Sequence, residues 1–160
     1  MPTLTYYVSA VDGTYGAMAP ATLQIGQTFG SQGATVCVIL LVTKTDGNLF
    51  CGHMACGISG MPANEPIIKT KTAALLDHAL GDDNKGQPWE ITGSSSDATN
   101  RWIREAMTAW FTTAATQNSN ANTDAYFSST VNGITKTLSN NMSDVGSQEV
   151  NDGSFSIEPG

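Results

Sequence analysis

All three cysteines of the chain, Cys37, Cys51 and Cys56, lie between Gly33 and Gly60, together with His53, one of only two histidines. A thiol and an imidazole held side by side are the parts of a nucleophile and its general base: the sulfur attacks a carbonyl carbon while the ring carries the proton. The surrounding residues describe a hairpin that could hold them so. Residues 36–42 form an apolar run, Asp46-Gly47 marks a turn, and residues 48–54 return through Leu49 and Phe50 to His53.

The turn decides whether Cys37 and His53 can meet. With Asp46-Gly47 alone as a two-residue loop, Thr45 faces Asn48 and His53 faces Leu40, which puts Cys37 and His53 on opposite faces of the sheet. With Thr45-Asp46 in a type I turn and Gly47 at a left-handed bulge position, Lys44 faces Asn48 and His53 faces Ile39. Cys37 and His53 are then diagonal neighbours on one face, about 7 Å apart at Cβ.

Other chemistries use the same residues less well. Cys51-x-His53-x-x-Cys56 with Cys37 supplies four zinc-type ligands, yet residue 56 falls on the other strand face from 51 and 53, and no second Cys-x-x-Cys pair exists. A papain-like site needs its cysteine at a helix N-terminus, whereas Cys37 reads as strand; His78 reads as a solvated helical residue beside Asp77. A buried Cys37 serving only as a small core hydrophobe is the bland alternative, and the protein is then a binding or accessory module.

Composition narrows the partners. The chain has 160 residues, 40% of them hydrophobic, which predicts one globular domain over 1–160. Fourteen acidic against seven basic residues give a net charge of -7, and the basic ones are scattered, so neither nucleic acid nor an anionic membrane is an expected partner. Only 13% of residues are charged, with Ser, Thr, Asn and Gly in their place, a surface common among secreted, phage-borne or injected bacterial proteins. No basic segment leads into an apolar run after Met1, and an odd number of cysteines argues for reduced thiols. The expected location is the cytoplasm, or a target cell reached without a cleaved signal peptide.

The elements that must position the pair follow from periodicity. Residues 3–9 and 22–25 have strand composition, 13–20 reads as a loop, and the run at 36–43, apolar on both faces, reads as a central strand. A helix is predicted over 70–80 with Thr70 as N-cap and Gly81 as stop. Residues 89–92 read as a strand. Trp102, Ile103, Ala106, Met107, Trp110 and Phe111 mark the buried face of a second helix, with Arg101, Arg104, Glu105 and Thr108 opposite. Residues 112–124 read as a flexible loop, 126–130 and 133–138 as strands around Asn132-Gly133, and 148–150 with 154–157 as a terminal hairpin. This order predicts an α+β fold, a mostly antiparallel, β-sandwich-like sheet arrangement with two helices packed on it.

Residues 31–37, Ser-Gln-Gly-Ala-Thr-Val-Cys, with His53 on the next strand, resemble the catalytic hairpin of the chemoreceptor glutamine deamidases and the related cytotoxic necrotizing factor deamidase toxins. The order of helix, strand and helix after the hairpin is also similar. The resemblance implies Cys37 as nucleophile, His53 as base and Ser31 as the hydroxyl that orients the imidazole, although the segment can also be aligned with Thr35 at the nucleophile position. Members usually carry a small residue before the cysteine, where this chain has Val36. The implied reaction is deamidation of a glutamine or asparagine side chain in a protein substrate through a thioester, with backbone N–H groups of the 33–36 turn as oxyanion donors and with no metal or organic cofactor.

Overall fold

The computed structural model describes residues 7–140 and 147–159. In chain order its elements are β1 (Tyr7–Ser9), β2 (Thr14–Met18), β3 (Thr28–Ser31), β4 (Val38–Thr43), β5 (Leu49–Cys56), α1 (Glu65–Ala79), β6 (Trp89–Thr92), α2 (Ala98–Trp110), β7 (Gln117–Ser119), β8 (Asp124–Thr130), β9 (Gly133–Ser139), β10 (Ser147–Glu149), β11 (Gly153–Ser154) and β12 (Ser156–Ile157). One sheet runs β10-β1-β3-β8-β9; the other runs β11-β2-β5-β4-β6-β7, with β12 also paired to β5. The long ladders are antiparallel and the parallel ladders are short, so the fold is α+β as the element order requires.

Strand β4 shows why the layers stack as they do, because its two faces feed two cores. Ile39 and Leu41 point between the sheets, where they meet Phe29, Leu49, Ala125 and Phe127. Val38, Leu40 and Val42 point the other way, against Ile68 and Leu76 of α1 and Trp102, Ile103 and Met107 of α2. A strand apolar on both faces is therefore the middle layer of three, and full burial of each such side chain is worth about 1.5–3 kcal/mol.

The hairpin takes the bulged register. Lys44 N–H donates to Asn48 O, Gly47 N–H to Lys44 O, and Gly47 has φ 89°. Ile39 consequently faces His53 and Val38 faces Met54. The second helix is also as expected, capped by Asp97, whose side chain accepts from Thr99 N–H at 2.8 Å.

Several expectations need correction. The first helix begins at Glu65, five residues before Thr70, because Pro66 fits its first turn, where no N–H donor is needed. Gly81 does end it, at φ 82°. The expected loop at 13–20 contains β2, disguised by Gly16, whose missing Cβ makes room for Val150. The expected strand at 22–25 is instead a turn of 3-10 helix at Pro20–Thr22, and the strand lies at Thr28–Ser31. Within 112–124, β7 pairs in parallel with β6. No terminal hairpin forms: β10 joins β1, β11 joins β2 and β12 joins β5, with Phe155 buried between the last two against Gly52. Of the strand expected at 3–9, residues 3–6 lie outside the described residues. Among the described residues, no helix is long and apolar enough to cross a membrane.

Candidate active site

The three residues named by the sequence come together where the two sheets meet. His53 sits on the inter-sheet face of β5, completely buried. Ser31, at the end of β3 in the facing sheet, places its Oγ 2.6 Å from His53 Nδ1. Cys37 immediately precedes β4 and is 7% exposed. Its Sγ, a ring nitrogen of His53 and a carboxylate oxygen of Asp12 all lie within 4.8 Å of one another.

Asp12 escaped the sequence reading. It owes its position to the departure of β2 from β5: the ladder ends at Thr14 opposite His53, Gly13 turns at φ 75° while donating its N–H to His53 O, and β12 takes up pairing with β5 at Ala55. Asp12 is thereby brought to the ring, with Oδ1 3.0 Å from Nε2 and a side chain 73% exposed. The cluster runs from solvent inward, through Asp12 and Cys37 to His53 and Ser31.

Hydrogen bonding fixes the tautomer. Ser31 O–H donates to Ala10 O at 2.5 Å, so its oxygen must accept from Nδ1–H of His53. Nε2 then carries the lone pair, free to take a proton. The 3.0 Å approach of Asp12 is not aligned as a hydrogen bond, and Nε2 is a buried atom without a hydrogen-bond partner. Once Nε2 is protonated, the Asp12 carboxylate is its counter-charge.

The two reactive groups rest in neutral form. Burial, with smaller contributions from the charges of Asp12 and Cys56, pushes the Cys37 thiol up to about 11. Burial lowers the pKa of His53 and Asp12 partly restores it. His53 therefore does not ionise the thiol in advance. No hydrogen bond joins Cys37 to His53 among the described residues.

The backbone at Cys37 is pinned from the helix side. Asn100 of α2, buried, donates from Nδ2 to Cys37 O at 3.0 Å, and Arg104 Nε holds Asn100 Oδ1 at 2.7 Å. Arg104, expected on the open side of its helix, is instead half-buried, with its guanidinium on Gly93 O and Ser119 O. The expected oxyanion donors also change. Gly33 N–H is spent on Asp124, Ala34 N–H on Thr123 and Thr35 N–H on Gly33. The amides of Val36 and Cys37 are the ones without an acceptor among the described residues. Bulky Val36 is accommodated because it is 63% exposed. Thr35 is exposed outside the cluster, so it is Cys37, not Thr35, that stands beside His53.

The zinc set read from spacing does not assemble. Cys51 is buried in the inter-sheet core, and Cys56 donates its S–H to Ile58 O. His78 is exposed on α1. The 660 Å³ cavity between the helices is lined by residues such as Lys69, Asp77, Glu105 and Trp110, and by none of the four clustered side chains.

Stability should fall on both sides of neutrality. His53 has an ordinary pKa of 6.5, lowered in the fold, so below that pH the unfolded chain binds the extra proton and stability drops as pH falls. The thiols of Cys37 and Cys51 are raised from 9.0, so their contribution is complete below 9.0 and is lost as pH rises above it. Thermal melts between pH 5 and 10.5 are expected to show both declines, the acid one reduced in His53→Gln.

No family model matches this chain, and no curated protein matches it.

Proposed function

We propose that this protein is a cysteine-dependent amidohydrolase that deamidates glutamine or asparagine side chains of a protein substrate through a thioester. The observation that carries the reading is the meeting of a strand-start thiol with a buried imidazole whose Nδ1–H is held by Ser31, the arrangement that the deamidase resemblance implied. Cys37 Sγ attacks the amide carbon while His53 Nε2 takes the thiol proton. The oxyanion is met by the Val36 and Cys37 amides, and the imidazolium by Asp12. His53 returns the proton to the departing nitrogen, which leaves as ammonia. Water, deprotonated by the same ring, then attacks the thioester carbon, and the proton returns to sulfur as the acid is released.

Incubation with unfolded casein, with ammonia read by a coupled assay and the product by mass spectrometry, tests the reaction. Ammonia release with amide-to-acid conversion, and hydroxylamine capture of the acyl group, are expected. Absence of release from glutamine and asparagine substrates alike, together with failure of an electrophilic glutamine analogue to attach to Cys37, would leave the non-catalytic binding module as the better reading.

The pH dependence carries its own signature. Loss of kcat/KM on the acid side should track protonation of His53 and so lie below pH 6.5. Asp12→Asn removes a charge that favours the imidazolium, and should move that acid limb to still lower pH. A limb that stays in place in the variant would separate Asp12 from the base.

A further inference from the structure

We propose that Asp12, Cys37 and His53 form a binding site for a thiophilic divalent cation, Zn²⁺, and that its occupancy silences the thiol. This ligand set differs from the one the cysteine spacing outlined, since it replaces Cys51 and Cys56 with a carboxylate brought in from the β1–β2 connection.

Three features of the cluster point to a cation. The first is donor chemistry: thiolate, imidazole and carboxylate are the three side-chain ligands zinc takes, and three of them with one open vertex is the arrangement of an exchangeable site rather than a closed structural one. The second is spacing. Ligands at ordinary zinc distances on a tetrahedron are separated by about 3.3–3.7 Å; Oδ1 and Nε2 stand 3.0 Å apart, and all three donor atoms lie within 4.8 Å, so small side-chain rotations suffice. The third is the state of Nε2, a completely buried ring atom with no hydrogen-bond partner, beside a carboxylate that approaches off its axis. Two acceptors converge there on a point that neither fills.

The outer shell is already arranged. Metal-bound histidines donate their second ring N–H to an oxygen that fixes the tautomer, and here Ser31, itself donating to Ala10 O, plays that part toward Nδ1. The exposed Asp12 side chain gives the ion its way in from solvent. On binding, Cys37 loses its S–H proton to solvent and a metal–sulfur bond takes its place. The sulfur lone pair and Nε2 are then both committed, and neither nucleophile nor base remains. The silencing rests on the amidohydrolase reading; the binding does not.

Anaerobic titration of the metal-free protein with Co²⁺ tests the site without reference to activity. One equivalent should bring up the visible absorption of a tetrahedral centre and a near-ultraviolet thiolate-to-cobalt band, and Zn²⁺ should displace both. Cys37→Ser should lose the thiolate band. Asp12→Asn, at an exposed position that does not threaten folding, removes a direct ligand and should weaken binding by at least the roughly 10–100-fold that losing an outer-shell partner costs. A band retained in Cys37→Ser, unchanged affinity in Asp12→Asn, or amide hydrolysis undiminished by stoichiometric Zn²⁺ would each overturn the proposal. If the cobalt spectrum is as described but the metal-free protein hydrolyses no amide, the cation site stands and the amidohydrolase reading alone falls.

Discussion

Cys37→Ala should abolish ammonia release, by on the order of 10⁴-fold or more, while leaving the melting curve nearly in place. The asymmetry follows from the position of the residue. In the proposed reaction the thiol supplies the bond-forming atom, and no neighbour can replace it: Cys51 is sealed in the inter-sheet core, and the Cys56 thiol is held on Ile58 O. Removing a nucleophile from a unit of nucleophile and base costs most of that unit's contribution, so His53→Ala in the same chain should add little to the loss. The backbone, by contrast, is held by Asn100 at Cys37 O and by the β4 ladder from Val38 onward, neither of which involves the sulfur. The stability change is expected to be within about 1 kcal/mol, the ordinary scale for losing one small atom at a site without polar penalty. Parallel ammonia assays and thermal melts on the two variants check this; activity persisting in Cys37→Ala would remove the residue from the mechanism.

Gly30→Ala should have the largest effect on the fold. A Cβ at Gly30 would stand 2.1 Å from Ala125 O and 2.5 Å from Tyr126 Cα. Both are backbone atoms of β8, paired with β3 through Gly30↔Tyr126 and Ser31↔Ala125. Backbone cannot rotate aside as a side-chain tip can, so the two strands must separate locally. A cost of roughly 4 kcal/mol or more is expected, in the range reserved for severe core clashes. Because Ser31 is the next residue, the same displacement should loosen the hold on His53 Nδ1, and activity should fall further than the melting temperature alone accounts for. Denaturant unfolding with a matched activity assay at low temperature checks both halves. A Gly30→Ala variant as stable as the parent would mean that β3 and β8 do not lie so close.

What the sequence made legible is local. The Cys37–His53 relation needed only the turn chemistry of residues 44–48, and Gly47 at positive φ specifies it. The stripe from Trp102 to Phe111 announced its helix because one face of that helix is buried by the sheet. Ser31 was found through resemblance, since nothing about a serine after Gly30 reveals that a histidine in the opposite sheet will meet it. Asp12 and Asn100 were not legible at all: each is an ordinary polar residue whose place depends on a pairing partner far along the chain. Strand β2 is missed, and the partners of β10, β11 and β12 are misassigned, for a related reason. They are short, rich in small or polar residues, and stabilised by neighbours rather than by their own periodicity.

The exchange of partners along β5, with β2 leaving at Gly13 and β12 arriving at Ala55, sets a timetable. The hairpin that bears Cys37 and His53 is local in the chain. The strand pairs that flank Asp12 draw on residues 147–157, and bringing such distant segments together is the slow part of folding. A chain made from its N-terminus therefore has its thiol and imidazole before residues 147–157, which brace the Asp12 side of the cluster, are made. The cluster is completed with the closing of a seam rather than with the appearance of its residues.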